Sequence, residues 1–174
     1  MHVLEKFRYC PVCGSSSFEE QDDKSKRCKR CSFEYYLNPS AAVAAFVLNS
    51  KGQLLTLRRR KAPARGTLDL PRGFADIGET IDEALLREVR EETGLTVTEF
   101  EFFTTLPNRY EYSGFVVPTL DSFFICKVSN ETELQANDDA EEALWLDLEE
   151  VHTEEFGLRS IRHALSTFLQ KYRK

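Results

Sequence analysis

The sequence has no apolar run long enough to cross a bilayer. The longest, Ala41 to Leu48, falls well short of the ~20 residues a spanning helix needs. No basic segment followed by an apolar stretch opens the chain, so no secretion signal is read and a cytoplasmic protein is expected. There is no internal repeat and no low-complexity linker. A basic excess is also missing. The net charge is -6, which argues against a dedicated nucleic-acid binder, whose footprint would be basic. The first 38 residues hold seven Lys/Arg and six Asp/Glu. The acidity lies beyond them, notably between Glu131 and Glu155. A length of 174 residues with 41% hydrophobic and 30% charged residues suits one medium domain plus a small appendage.

Four of the five cysteines are paired in C-x2-C motifs, Cys10/Cys13 and Cys28/Cys31, separated by fourteen residues. This is the spacing of a structural four-thiolate zinc site. Gly14 supplies freedom for a tight turn. Phe7, Tyr9, Val12, Phe18 and Phe33 are too few to form a core alone, so metal would supply the missing stability. Disulfides fit poorly without a secretion signal. A closed four-cysteine sphere leaves no open position for catalysis. The fifth, Cys126, lies in an apolar run and reads as a buried strand thiol.

Residues 73 to 95 read GFADIGETIDEALLREVREETGL. Thr80 followed by Glu83 is a capping box, which predicts a helix from Ile81, and Gly94 is placed to stop it. At roughly 100° per residue, Ile81, Leu85, Glu88 and Glu92 share one narrow face. Carboxylates carried toward a core need compensation. A hard divalent cation with oxygen ligands supplies it. A solvated acidic face would lie opposite Ile81 and Leu85, not among them.

The same stretch matches G-x5-E-x7-R-E-U-x-E-E-x-G-U (U, bulky aliphatic) at Gly73, Glu79, Arg87, Glu88, Val89, Glu91, Glu92, Gly94 and Leu95. It resembles the box of Nudix hydrolases. The resemblance implies an α/β fold, an α/β/α sandwich with a mixed sheet over residues 38–174, preceded by a zinc ribbon over 1–37. It implies water attack on a phosphorus of a nucleoside diphosphate linked to another group. Glu88, Glu91 and Glu92 match the family's Mg2+ (or Mn2+) ligands. Glu79 matches the box's first glutamate, which in the family can contact metal or support the others, and Arg87 matches the arginine that orients a glutamate. Gly73 and Gly94 match positions of backbone turning. The box leaves the general base open. Glu141 and Glu142 are candidates, set against a reading as solvated loop acids.

For the other elements, strands are read at Ala41–Leu48, Gln53–Arg59, Leu68–Leu70, Val97–Thr105, Asp121–Val128 and Ala143–Leu146. A loop with Pro107, Gly114 and Pro118 joins two of them, and an amphipathic helix runs from Leu158 to Tyr172. Either Arg58 or Arg59 should point inward and meet phosphate. Arg72 could do the same or face solvent.

A ribbon ahead of such a domain resembles the NADH diphosphatase branch, whose signature S-Q-P-W-P-F-P-x-S aligns with Thr104–Tyr112. Only Pro107 is kept, so the resemblance does not by itself assign NADH as the substrate. Arg109 could pair with phosphate, and Tyr110 could stack on a base or pack in a hairpin. ADP-ribose and NAD(H) are ranked equally as substrates. Two other readings stand: an enzyme removing an RNA cap, with nucleic acid held through the ribbon, and a silent nucleotide sensor. Similarity to ribbon-bearing enzymes suggests a homodimer.

Overall fold

In the computed structural model, which describes residues 2–62, 64–112, 114–137 and 140–173, the chain divides into two compact units, Met1–Pro39 and Ser40–Lys174. The first unit is a three-stranded antiparallel sheet of β1 (Phe18–Glu20), β2 (Ser25–Cys28) and β3 (Glu34–Tyr36). Among the described residues, its apolar cluster gathers Cys10, Phe18 and Cys28, with Cys13, Phe33 and Tyr35 against them, and Leu4 is buried as well. Tyr9 and Val12 are exposed, so they add nothing to this core. Phe7 stacks on Tyr35 at 5.9 Å, and the buried Lys26 donates from Nζ to the Phe7 carbonyl. Gly14, at φ +70, closes the turn after Cys13, where a side chain would be strained.

The second unit is built on a seven-stranded sheet. Its elements are β4 (Ser40–Leu48), β5 (Leu54–Arg59), β6 (Leu68–Asp69), β7 (Arg72–Phe74), α1 (Ile81–Thr93), β8 (Val97–Tyr112), β9 (Phe115–Val128), β10 (Ala140–Leu146) and α2 (Arg159–Tyr172). The strands run in the order β10-β5-β4-β9-β8, with β6 on β5 and β7 on β4. Strand β4 is parallel to β9 and the other pairs are antiparallel, so the sheet is mixed.

Alternation along β4 explains its unbroken apolar run. Val43, Ala45 and Val47 face α1 residues Ala84, Leu85 and Val89. Ala44 and Phe46 face α2 residues Ile161, Ala164, Leu165 and Phe168. A strand covered on both faces has no reason to alternate with polar residues. The result is a sheet between two helices. Helix α1 starts at the capping box of Thr80 and Glu83 and ends at Gly94, left-handed at φ 73.

The segment read as a loop between two strands is instead strand at 106–112 and 115–120, with Gly114 in the turn. β8 and β9 stay paired from Val97↔Val128 to Tyr112↔Phe115. Both prolines fit because neither must donate on both sides. β8 is an edge strand, and Pro118 lies one residue before β4 begins to pair with β9 at Thr119. There β9 has β8 on one side, and a missing N–H can face outward on the other. β10 also starts earlier than read, at Ala140. Cys126 is fully buried, and burial pushes its thiol up to about 12. Among the described residues, no helix is long and apolar enough to cross a membrane.

Candidate functional site

The α1 face seen in the sequence is formed as read. Leu85 and Val89 enter the core, and Glu88 and Glu92 lie half-buried at its margin. Strand β7 fixes both acids. The Arg72 backbone N–H donates to Glu92 Oε2 at 3.0 Å. At Gly73 a Cβ would lie 2.0 Å from Glu88 Cδ and Oε1, so a side chain there and this carboxylate position exclude each other. Gly73 is thus not a turn glycine. It lies inside β7 and is needed for close approach.

Burial holds the Glu88 carboxyl above its ordinary range, against the pull of Arg87. Burial pushes Glu92 up to about 8, with Asp69 adding to the effect and the Arg72 N–H opposing it. An acid pair of this kind is poised to exchange protons for a cation.

Arg87 is the clamp. Its Nε donates to Glu79 Oε1 at 2.8 Å and its Nη1 to Glu88 Oε1 at 2.7 Å and Glu91 Oε2 at 3.1 Å. A further bond reaches the Phe74 carbonyl, which ties α1 to β7. Its hydrogen bonds to Glu79 hold the guanidinium charge firmly in place. In return Arg87, with the Asp76 N–H, draws Glu79 down to about 2. Glu79 is therefore locked into the support, while Glu91 stays exposed.

Asp69 was not legible as a site residue. It is a buried acid in β6 whose Oδ2 is shared by Arg59 Nη1 and Arg72 Nε, and whose Oδ1 accepts the Leu70 N–H. The one signal in the sequence is a charge between two leucines. Burial opposes the Arg72 charge, but Asp69 outweighs it and keeps the guanidinium firmly protonated. Arg58, Arg59, Asp69 and Glu92 line one small pocket. Arg59 is the arginine that points inward. Arg58 pairs with Glu142 at 3.0 Å, which occupies one of the two candidate bases in a surface ion pair.

The Arg72 guanidinium lies 5.4 Å over the Tyr110 ring, and Tyr110 meets Phe74 edge-on at 5.7 Å. With Ser40, Tyr112 and Val117 these rings line a cavity of about 490 Å³. Arg109, next in sequence, lines a different cleft with Arg159 and His163. The structure therefore brings Arg72 and Tyr110 together beside the box and separates Arg109 from them.

In the first unit, one ligand atom from each of Cys10, Cys13, Cys28 and Cys31 lies within 4.8 Å of the others. The Cys10–Cys31 and Cys13–Cys28 sulfur distances are both 3.6 Å. That is far beyond a disulfide bond of ~2.05 Å. It is close to the ~3.8 Å edge of a tetrahedron with 2.3 Å zinc–sulfur bonds. The Cys31 N–H, aimed at Cys28, lowers that thiol to about 6, while Cys31, beside the other three sulfurs, is pushed up to about 12. Among the described residues, no three box carboxylates converge as these sulfurs do.

Known proteins agree with this geometry. Residues 38–166 match the model of the NUDIX domain. An ADP-ribose pyrophosphatase of Methanocaldococcus jannaschii is 36% identical over 118 residues, covering 67% of this chain and 66% of that protein. The NAD-capped RNA hydrolase NudC of Haemophilus influenzae is 29% identical over 118 residues, 66% of this chain and 44% of that protein. The chain thus spans less than two thirds of the length of either relative. A NUDIX hydrolase structure from Nitrosomonas europaea superposes with a TM-score of 0.73 at 20% identity, covering 94% of this chain and 91% of that one. Box, sandwich and family match coincide over the same residues, and the chain belongs to the NUDIX family.

Proposed function

We propose that this chain is a divalent-metal-dependent pyrophosphohydrolase acting on a nucleoside diphosphate linked to a second group, with release of a nucleoside monophosphate. The observation that carries the reading is the Glu88–Glu92 pair. Two acids held above their ordinary range by burial rest against the β7 backbone, one of them where only glycine fits. Glu88, Glu91 and Glu92 would hold Mg2+ or Mn2+, which when bound neutralises the diphosphate and acidifies the attacking water. Arg87 positions Glu88 and Glu91, and Glu79 positions Arg87. Asp69 holds Arg59 and Arg72 toward the Glu92 pocket, where guanidinium groups suit phosphate oxygens.

The substrates favoured are ADP-ribose and NAD(H)-like dinucleotides. The Tyr110–Phe74 cavity beside Arg72 offers aromatic faces to a base. Relatives named as an ADP-ribose pyrophosphatase and an NAD-capped RNA hydrolase support the same class. The second name also supports a capped RNA as the alternative substrate. We further propose that the four cysteines bind structural zinc within a ribbon of residues 1–37, ahead of a Nudix domain of residues 38–174, and that the protein is cytoplasmic.

A hydrolysis screen with Mg2+ over ADP-ribose, NAD+, NADH, FAD, diadenosine polyphosphates and nucleoside triphosphates tests the reading. AMP release from a dinucleotide is expected. No turnover of any, with Mn2+ also tried, would set it aside.

A further inference from the structure

A cleft of about 460 Å³ opens between β8 and the first turn of α2, lined by Asn108 and Arg109 on one side and Arg159, Ser160 and His163 on the other. None of its described lining residues is acidic. The nearest acid in the network, Asp121, is buried behind them and occupied by three donors. Thr119 Oγ1 bonds its Oδ1 at 2.6 Å, while Ser160 Oγ at 2.6 Å and Asn108 Nδ2 at 3.0 Å bond its Oδ2. These bonds fix β8, β9 and α2 to one another, so the walls of the cleft are set by the fold.

The charge of this cleft is unusual for the molecule. The chain is acidic overall, at -6, yet two arginines and a histidine meet here. Neither Arg109 nor Arg159 forms an ion pair with another described residue. The first turn of α2 contains no acid and has no side-chain cap. Helix starts ordinarily gather acids, and cations there oppose the helix dipole. An anion seated between these groups would meet donors from both walls of the cleft. Guanidinium forks match phosphate oxygens, and the volume suits one nucleotide-sized ligand.

We propose that this cleft binds a phosphate ester, through residues distinct from those around α1. It assigns Arg109 to this second site and not to the Tyr110 cavity. The ester is either a free nucleoside monophosphate or a phosphate in a polynucleotide backbone.

The test uses the full chain with zinc and without added Mg2+. Inorganic phosphate, AMP and a short oligoribonucleotide with a free 5′-hydroxyl are titrated in turn. NMR follows the imidazole signals of the three histidines, His2, His152 and His163. The expected result is a saturable shift at His163 with His2 and His152 unmoved, and at least tenfold weaker binding in Arg159→Ala. Arg159 is exposed, so that variant should fold, as circular dichroism can check. Tighter AMP binding would identify the free ester. Tighter oligonucleotide binding with a steep salt dependence would identify a backbone phosphate. A His163 shift no larger than that of His152, or unchanged affinity in folded Arg159→Ala, would overturn the proposal. The readout is binding, so it stands or falls apart from any turnover at α1.

Discussion

Gly73 and Glu88 are in such close contact that a single added carbon at residue 73 would overlap the carboxylate. The geometry of the α1 acids thus depends on a strand residue with no side chain. Gly73→Ala should displace Glu88 and lower kcat by about 100-fold, the scale of an ångström-size misplacement. Mg2+ affinity should fall with it. Steady-state kinetics and metal titration on the folded variant would check this, and wild-type values for both would refute the contact as a functional constraint.

Glu92 gives a pH dependence with a definite sign. Its folded value is about 8 against an ordinary 4.5, so the metal-free fold favours the protonated acid. That contribution to stability is full below about 4.5 and is lost as the pH rises through about 8. Metal binding needs the carboxylate, so Mg2+ affinity should rise with pH across the same window and release up to one proton from this group. Calorimetric titration in buffers of different ionisation enthalpy measures that release. Binding at pH 6 with no proton released would contradict it.

Much of this site was legible because short-range chemistry wrote it. Thr80, Glu83 and Gly94 delimit α1, and the apolar run of β4 announced a strand. The long β8–β9 hairpin was not legible, because Pro107 and Pro118 are loop signals unless a strand has an open side. Asp69 was hidden because a single acid between Leu68 and Leu70 does not reveal that Arg59 and Arg72, ten residues before and three after it, converge there. Arg109 and Tyr110 looked like one binding element, yet neighbouring strand residues point apart and these line separate cavities.

Tyr110 should act on binding more than on chemistry. Removing its ring in Tyr110→Ala takes away the face met by Arg72 and Phe74, and KM for a dinucleotide should rise about five- to tenfold with kcat nearly kept. A fall in kcat at constant KM would instead place Tyr110 in the support of the acids.

Zinc removal should act locally. Among the described residues, the one buried apolar cluster of the first unit gathers Cys10, Phe18 and Cys28, with little apolar surface to hold it, whereas the second unit buries two full clusters. Chelation should therefore raise hydrogen exchange over residues 18–36 and leave exchange in β4 and α1 nearly unchanged. Uniform protection of residues 18–36 after verified metal loss would rule out a structural role for the ion.

The most direct measurement is Mg2+-dependent AMP release from ADP-ribose by the wild type and by Glu88→Gln, with circular dichroism to confirm that both fold. The amide keeps the shape and removes the charge that would meet the cation. The account predicts turnover in the wild type and its loss by at least about 100-fold in the variant. Near-normal turnover in folded Glu88→Gln would contradict the assignment of the α1 acids as the metal site.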